Sequence, residues 1–117
     1  MTAFSFENLK AWQKARILTK EIYNLTADFP EIERFGLTSQ LRRASVSICS
    51  NLAEGSSRFS SKDRKRFYEI AFGSSVEVMN QLIISTDIGL INPNHLIELR
   101  EKVAEVNKLI SGLVRAL

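Results

Sequence analysis

Apolar residues in the last quarter of the chain recur every three or four positions, the spacing of one face of an α-helix. These residues are Leu96, Leu99, Val103, Val106, Ile110, Leu113 and Leu117. Asn92 followed by Pro93 is a typical helix start, with asparagine as the N-cap and proline at the first helical position. An amphipathic helix of this length needs other elements to cover its apolar face, so the rest of the chain must supply them.

Three more stretches have helical periodicity, and together they predict the fold. The first contains a heptad seam and ends before Pro30, because the residue before a proline avoids the helical region. Gly55 is expected to cap the second, and Ser60 to begin the third. Short connections favour antiparallel neighbours. The sequence therefore predicts one all-α domain, an antiparallel up-down-up-down four-helix bundle, with helices at about 7–28, 37–54, 61–88 and 93–115.

The third predicted helix is apolar on nearly every side. Its apolar residues fall on three lines: Phe67, Ala71, Val78 and Leu82; Tyr68, Phe72, Val76, Met79 and Ile83; and Ile70, Ile84 and Ile88. In a lone bundle of this size, one face of each helix meets water. The excess apolar surface therefore predicts a homo-oligomer. The small residues Gly73, Ser74 and Ser75 predict a close approach of backbones at the middle of this helix.

Composition excludes several classes of protein. No apolar run approaches the roughly 20 residues of a membrane span. Met1 to Lys10 lacks the basic and apolar blocks of a signal peptide, so a cytoplasmic protein is expected. Cys49 and His95 are the only cysteine and histidine, which rules out an intrachain disulfide and argues against a zinc site. No cofactor is predicted.

Basic residues are concentrated in one segment, although the net charge of the chain is only +3. Between positions 42 and 66, seven basic residues face two acidic ones. These seven are candidates for binding a nucleic-acid backbone, and the alternative of a merely solvated surface carries about equal weight. Phe59 is the one aromatic residue expected to be exposed nearby, so any binding should be sequence-independent and sensitive to salt. The candidates are Arg42, Arg43, Arg58, Lys62, Arg64, Lys65 and Arg66.

A polar stripe runs along the second helix beside its apolar stripe. We interpret it as a structural hydrogen-bond network with the third helix, because buried polar groups persist only when they are paired. Catalysis with Glu54 as a base is the alternative, but no nucleophile, metal set or phosphate loop accompanies the carboxylates. The protein is therefore predicted not to be an enzyme. The predicted network comprises Gln40, Arg43, Ser47, Asn51, Glu54, Ser74 and Glu77.

Motifs along nearly the whole chain point to a known family. They include Trp12, Tyr23, Phe29-Pro30, Gln40-Leu41-Arg42-Arg43-Ala44, Ser47-Ile48, Ser50-Asn51-Leu52-Ala53-Glu54-Gly55, Phe67, Ala71, Gly73-Ser74 and Glu77. With these the chain resembles the bacterial 23S rRNA intervening-sequence proteins, or S23 family. Cys49 departs from the pattern, since many relatives have proline there. The resemblance implies a homopentamer, and similarity to the accessory subunit of diversity-generating retroelements, a basic pentamer that binds nucleic acid.

Two functional hypotheses follow for a protein of this kind. The first is an oligomer that binds RNA or other structured nucleic acid through its basic residues. The second is a protein–protein scaffold with no direct nucleic-acid role. The sequence leaves open the natural ligand, the number of subunits, and whether the basic residues face outward. The family's name records gene location rather than an activity, so it does not decide between the two.

Overall fold

The protein folds into four α-helices joined by short connections. The structure, a computed structural model, describes residues 2–117. Within them there is no β-strand, and short 3-10 helices at Ser5–Asn8 and Glu31–Glu33 precede the first and second α-helices. The predicted all-α, four-helix fold is confirmed. The helices are α1 (Lys10–Thr26), α2 (Leu37–Ser57), α3 (Ser61–Asp87) and α4 (Pro93–Arg115).

Each helix packs against the next one in the chain, and α4 also packs against α1. The largest interface is between α2 and α3. Cross-helix contacts run in opposite order along α1 and α2: Thr19 lies against Cys49, whereas Thr26 lies against Arg42. Apolar side chains from all four helices fill the centre, as their periodicity requires. The largest fully buried ones include Leu18, Ile22, Leu41, Ile48, Leu52, Leu82, Leu99 and Ile110.

The first helix is shorter than its periodicity predicts. Residues 5–8 form a 3-10 helix, and Leu9 is extended with φ −74° and ψ 121°, so α1 begins only at Lys10. Phe6 reaches across this break and packs edge-on against Trp12, with 4.9 Å between ring centroids. The local break is therefore stabilised by an aromatic contact that helical spacing cannot show.

The ends of α3 and the start of α4 follow local sequence rules. The Ser60 hydroxyl accepts a hydrogen bond from the backbone N–H of Asp63, and the Asn92 side chain accepts one from the N–H of Asn94. Gly89 has φ +86°, which glycine adopts without strain. Its N–H donates to the Thr86 carbonyl and the next N–H donates to Ser85, the two bonds of a Schellman motif.

Neither of two glycines has the role predicted for it. Gly55 does not cap α2, which continues to Ser57. A β-carbon at Gly55 would lie 2.7 Å from Tyr68 Cε1, so this glycine permits the close approach of α2 and α3. Gly73 is exposed, and no atom lies within 4 Å of where its β-carbon would be. The close packing predicted at Gly73 is therefore wrong within the protomer, although Ser74 and Ser75 are buried.

The outer surface of α3 leaves large apolar side chains in contact with solvent. Val76 is 52% exposed and Ile88 is 56% exposed. Burying such residues against another chain would remove apolar area from water, which is the usual driving force for association. The excess apolar character predicted for this helix is thus present at the protomer surface. The exposed residues are Ile70, Phe72, Val76, Ile84 and Ile88.

Candidate nucleic-acid interface

The seven predicted basic residues divide into two groups at opposite ends of α2. Arg42 and Arg43 lie in its second turn, whereas Arg58 follows its last residue and the other four lie in the first turns of α3. Fifteen residues separate Arg43 from Arg58, which corresponds to about 22 Å of helix. The two groups therefore do not form one contact surface on a single protomer.

Arg42 is held by the end of α1. Its Nε donates to the Thr26 hydroxyl at 2.8 Å, and its Nη2 donates to the Tyr23 carbonyl at 3.3 Å. The guanidinium also lies over the Tyr23 ring, 4.6 Å from the centroid. Arg43, the next residue, is exposed and forms no ion pair with any carboxylate of residues 2–117. Sequence order alone did not distinguish these two neighbours.

The basic residues at the α2–α3 turn form the second group. Arg58 and Arg66 both lie over the Phe67 ring, at 4.6 and 5.5 Å from its centroid. Arg58 also pairs with Glu54 at 3.4 Å, and its carbonyl accepts a hydrogen bond from Arg64 Nε at 2.7 Å. These contacts orient the three arginines, and only the charge of Arg58 is offset by a carboxylate of residues 2–117. Lys62 and Lys65 are exposed and free to follow a ligand.

Additional basic residues gather between α1 and α4. Lys10, Lys14, Lys108 and Arg115 line an open cleft of about 720 Å³. Glu105 offsets part of this charge through an ion pair with Lys14, 3.3 Å between Oε1 and Nζ. Nothing in the sequence indicated that the start of α1 and the end of α4 lie side by side. Only the packing of the two helices brings these four charges together.

The polar stripe of α2 meets α3 in two separate hydrogen-bonded groups. In one, the hydroxyls of Ser47 and Ser74 are 2.9 Å apart, and Asn51 Nδ2 donates to the Ser47 carbonyl and hydroxyl. In the other, Gln81 Nε2 donates to Gln40 Oε1 at 3.3 Å and to Glu77 Oε2 at 3.4 Å. Gln81 was absent from the predicted set. Its position four residues after Glu77 places it on the same helical line, a signal that could have found it.

Two members of the predicted network lie outside both groups. Glu54 pairs with Arg58 at the end of α2 instead of bonding to α3. Arg43 lines a small cleft of about 290 Å³ together with Gln40, Ser47 and Glu77, but it donates to none of them. Inside the network, Gln81 Oε1 and the Ser85 hydroxyl are buried with no partner among residues 2–117.

Groups that could support chemistry are few in the described part of the chain. Burial raises the pKa of the Cys49 thiol, and a hydrogen bond from the Thr19 side chain opposes that rise. The thiol is therefore less readily ionised than a free cysteine, which makes it a poor nucleophile. Residues 2–117 contain no cluster of three or more histidine, cysteine or acidic residues that could hold a metal ion.

Comparison with known proteins gives the family. A family model described as 23S rRNA-intervening sequence protein matches residues 7–112. The chain belongs to this family. The family predicted from the sequence motifs is thus confirmed. No curated protein sequence matches the chain.

A solved structure gives independent support for the fold. It is the crystal structure of a protein of unknown function from the S23 ribosomal protein family of Bacteroides thetaiotaomicron. The two chains are 21% identical, the match covers 90% of this chain and 95% of that one, and the TM-score is 0.83. At this identity the likeness establishes a shared fold and nothing about activity. Among residues 2–117, no helix has both the length and the apolar character required to cross a membrane.

Proposed function

We propose that this protein is a non-enzymatic, cytoplasmic oligomer that binds RNA or other structured nucleic acid without reading its sequence. The observation that carries the proposal is an uneven distribution of charge between two halves of the molecule. The half formed by residues 2–17, 48–74 and 105–117, here named the basic end, has ten basic and five acidic side chains. The half formed by residues 18–47 and 75–104 has six basic and eight acidic.

The basic end depends on an antiparallel arrangement of neighbouring helices, which we include in the proposal. The order of the ion pairs along α1 and α4 supports this arrangement. Lys14 pairs with Glu105, whereas Lys102, earlier in α4, pairs with Glu21, later in α1. The contacts between α2 and α3 run in opposite order in the same way. This arrangement places the start of α1, the α2–α3 turn and the end of α4 at the same end of the bundle.

The chemistry of the basic end suits a phosphate backbone. A polyanion with condensed counterions gains free energy when lysine and arginine replace them, and this term does not depend on sequence. Lys62 and Lys65 are solvated, so they can adapt to the spacing of phosphates. The ring of Phe59 is fully exposed in the α2–α3 turn, and it is the one aromatic residue there available for base stacking. Recognition by charge and shape therefore outweighs recognition of bases.

Self-association multiplies the basic end, and we propose a homopentamer as the assembly. The exposed apolar residues of α3 support an interface between copies, because they lie on the surface of the protomer. Repetition of one basic end per subunit would create a continuous positive rim. The expected similarity to the accessory subunit of diversity-generating retroelements is part of the same proposal. Light scattering of the nuclease-treated protein should give five times the 13.3 kDa of one chain.

A salt titration with matched charge variants tests the nucleic-acid role. The triple variant Lys62→Gln/Lys65→Gln/Arg66→Gln removes three charges from the basic end, and Lys20→Gln/Arg100→Gln/Lys102→Gln removes three from the other half. Fluorescence anisotropy with duplex RNA should show log K falling with log salt, and the first variant should reduce that slope by roughly 0.9 per lost contact. The second variant should bind like the wild type.

Equal behaviour of the two variants, or no binding at low ionic strength, would reject the nucleic-acid role. The scaffold alternative would then gain support if a partner protein stays bound to the purified oligomer after nuclease treatment. An enzyme is not proposed, because the one thiol of residues 2–117 is a poor nucleophile and no metal cluster accompanies the described carboxylates.

A further inference from the structure

A cleft outside the basic end has the composition of a site for a phosphate-bearing aromatic ligand. It is open, encloses about 550 Å³, and lies beside the first turns of α2. That volume falls within the roughly 300–1,000 Å³ of small-molecule sites. Cationic, aromatic and hydroxyl groups share its walls. The residues that matter are Tyr23, Arg34, Phe35, Ser39, Arg42 and Arg43.

The cationic wall has guanidinium groups ready for an anion. Arg42 uses one N–H on Nε and one on Nη2 for its contacts with α1, so three of its five donors remain. Because those contacts hold it in place, little conformational entropy is lost when it binds a ligand. Neither Arg42 nor Arg43 is paired with a carboxylate of residues 2–117. A planar guanidinium matches phosphate oxygens through two parallel hydrogen bonds.

The aromatic wall offers the face of a ring to a planar group. Phe35 is 87% exposed, and the guanidinium of Arg34 lies over its ring at 5.3 Å from the centroid. Tyr23 also lines the cleft and is 41% exposed. Unstacked nucleic-acid bases bind proteins by stacking on such rings and on arginine planes. A ligand with a planar ring and a nearby phosphate would stack on the aromatic wall and bind the cationic wall at the same time.

The start of α2 does not itself provide the anion site. Its first backbone N–H, at Leu37, donates to the Glu33 carboxylate at 3.1 Å, so an internal anion already occupies the positive end of the helix. The ligand's charge must therefore be met by the arginine side chains. This places the phosphate on the Arg42 and Arg43 side of the cleft rather than over the helix axis.

We infer that this cleft binds a nucleoside phosphate, either free or as an unpaired nucleotide of a strand. Its phosphate lies on Arg42 and Arg43, and its base stacks on Phe35. The inference does not rest on the proposed function, because about 22 Å of α2 separates this cleft from the α2–α3 turn. The nucleotide site can therefore be disproved without affecting the nucleic-acid role of the basic end, and the reverse.

Isothermal titration of the full chain with a nucleoside monophosphate, inorganic phosphate and the unphosphorylated nucleoside tests the inference. Arg43→Gln should weaken binding of both phosphate compounds by about tenfold, the typical worth of a charge-assisted hydrogen bond. Phe35→Ala should weaken the nucleotide and the nucleoside by about fivefold or more and leave inorganic phosphate unchanged. Arg100→Gln and Phe4→Ala, which change the same residue types outside the cleft, should bind all three compounds like the wild type.

A single-stranded oligonucleotide and a duplex of equal length distinguish the two sources of the ligand. If Phe35→Ala weakens the single strand but not the duplex, the cleft holds an unpaired nucleotide of a strand. If Phe35→Ala affects only the free nucleotide, the cleft binds a small molecule. The inference is overturned if the folded wild type binds no nucleotide at millimolar concentration, or if the cleft variants match their controls. Whether the inference holds or is overturned does not depend on whether Lys62→Gln/Lys65→Gln/Arg66→Gln weakens binding to duplex RNA.

Discussion

The two ends of α2 carry their arginines in different ways. At its start, Arg42 is fixed by two hydrogen bonds to α1 and by the Tyr23 ring. At its end, Arg58 lies on the surface in a weak pair with Glu54, while the lysines that follow are solvated. Fixed guanidinium groups suit one bound ligand, whereas mobile charges suit a polymer whose phosphates vary in position. The sequence shows arginines near both ends of α2 but does not show that they are held in different ways.

The end of α2 has exposed charges at its surface but depends on a tight contact beneath. Gly55 lies against Tyr68, where an added methyl group would come within 2.7 Å of the ring. At the start of α2, a β-carbon at Gly36 would meet only the end of the flexible Glu33 side chain, and Arg42 is held there by side-chain hydrogen bonds. The two ends should therefore be destabilised by different substitutions.

Gly55→Ala should have the largest effect on stability. The added β-carbon overlaps the Tyr68 ring, and overpacking of this kind costs about 1–3 kcal/mol of unfolding free energy. Gly73→Ala is the matched control, because its β-carbon enters open space and should stabilise the helix by about 0.5–1 kcal/mol. Urea unfolding followed by circular dichroism measures both. Loss of stability in Gly73→Ala with none in Gly55→Ala would reverse the assignment of the two glycines.

Arg42→Gln should destabilise the fold more than Arg58→Gln. Removal of Arg42 leaves the Thr26 hydroxyl, which is buried, without this donor, at a cost of about 1–2 kcal/mol. Removal of Arg58 breaks an exposed pair and should cost about 0.5 kcal/mol or less. The same urea titrations compare them. Equal losses would mean that Arg42 is no more fixed than an ordinary surface arginine.

The Tyr68 hydroxyl should make stability sensitive to alkaline pH, by the smallest amount of the three. Burial raises the pKa of Tyr68 above its ordinary value of 10.0, so the folded state holds the proton more tightly than the unfolded state. The resulting stability is complete below pH 10 and is lost as pH rises from there through the folded pKa. Tyr68→Phe should lack this loss. The unfolding free energy of the wild type minus that of Tyr68→Phe should be lower above pH 10 than at pH 8. A difference that stays constant between these pH values would exclude a contribution of the Tyr68 hydroxyl.

Much of the fold was predictable from local sequence signals. Ser60, Asn92 and Pro93 were expected at helix ends, and each acts through backbone hydrogen bonds or dihedral preferences of a few neighbouring residues. The start of α1 was predicted three residues too early, because the break at Leu9 is accompanied by packing of Phe6 on Trp12. Helical periodicity cannot report a contact between two rings on either side of a break.

The candidate site was only partly predictable. Sequence order grouped seven basic residues, and the fold separates two of them from the other five by most of the length of α2. The same fold brings Lys108 and Arg115 beside Lys10 and Lys14, although about a hundred residues lie between them in the chain. Gln81 belongs to the polar network because its position on α3 faces Gln40 on α2. Each of these results depends on which surfaces of neighbouring helices pack against each other.

By itself the sequence determined that four amphipathic helices form, where three of them begin, and which family the chain resembles. Those features arise from propensities and periodicities that act over a few residues along one helix. The tertiary structure decided which glycine permits close packing, which arginine is fixed, and where a cleft opens beside Phe35. These depend on distances between helices, and a spacing along one helix contains no information about the side chains that the next helix places against it.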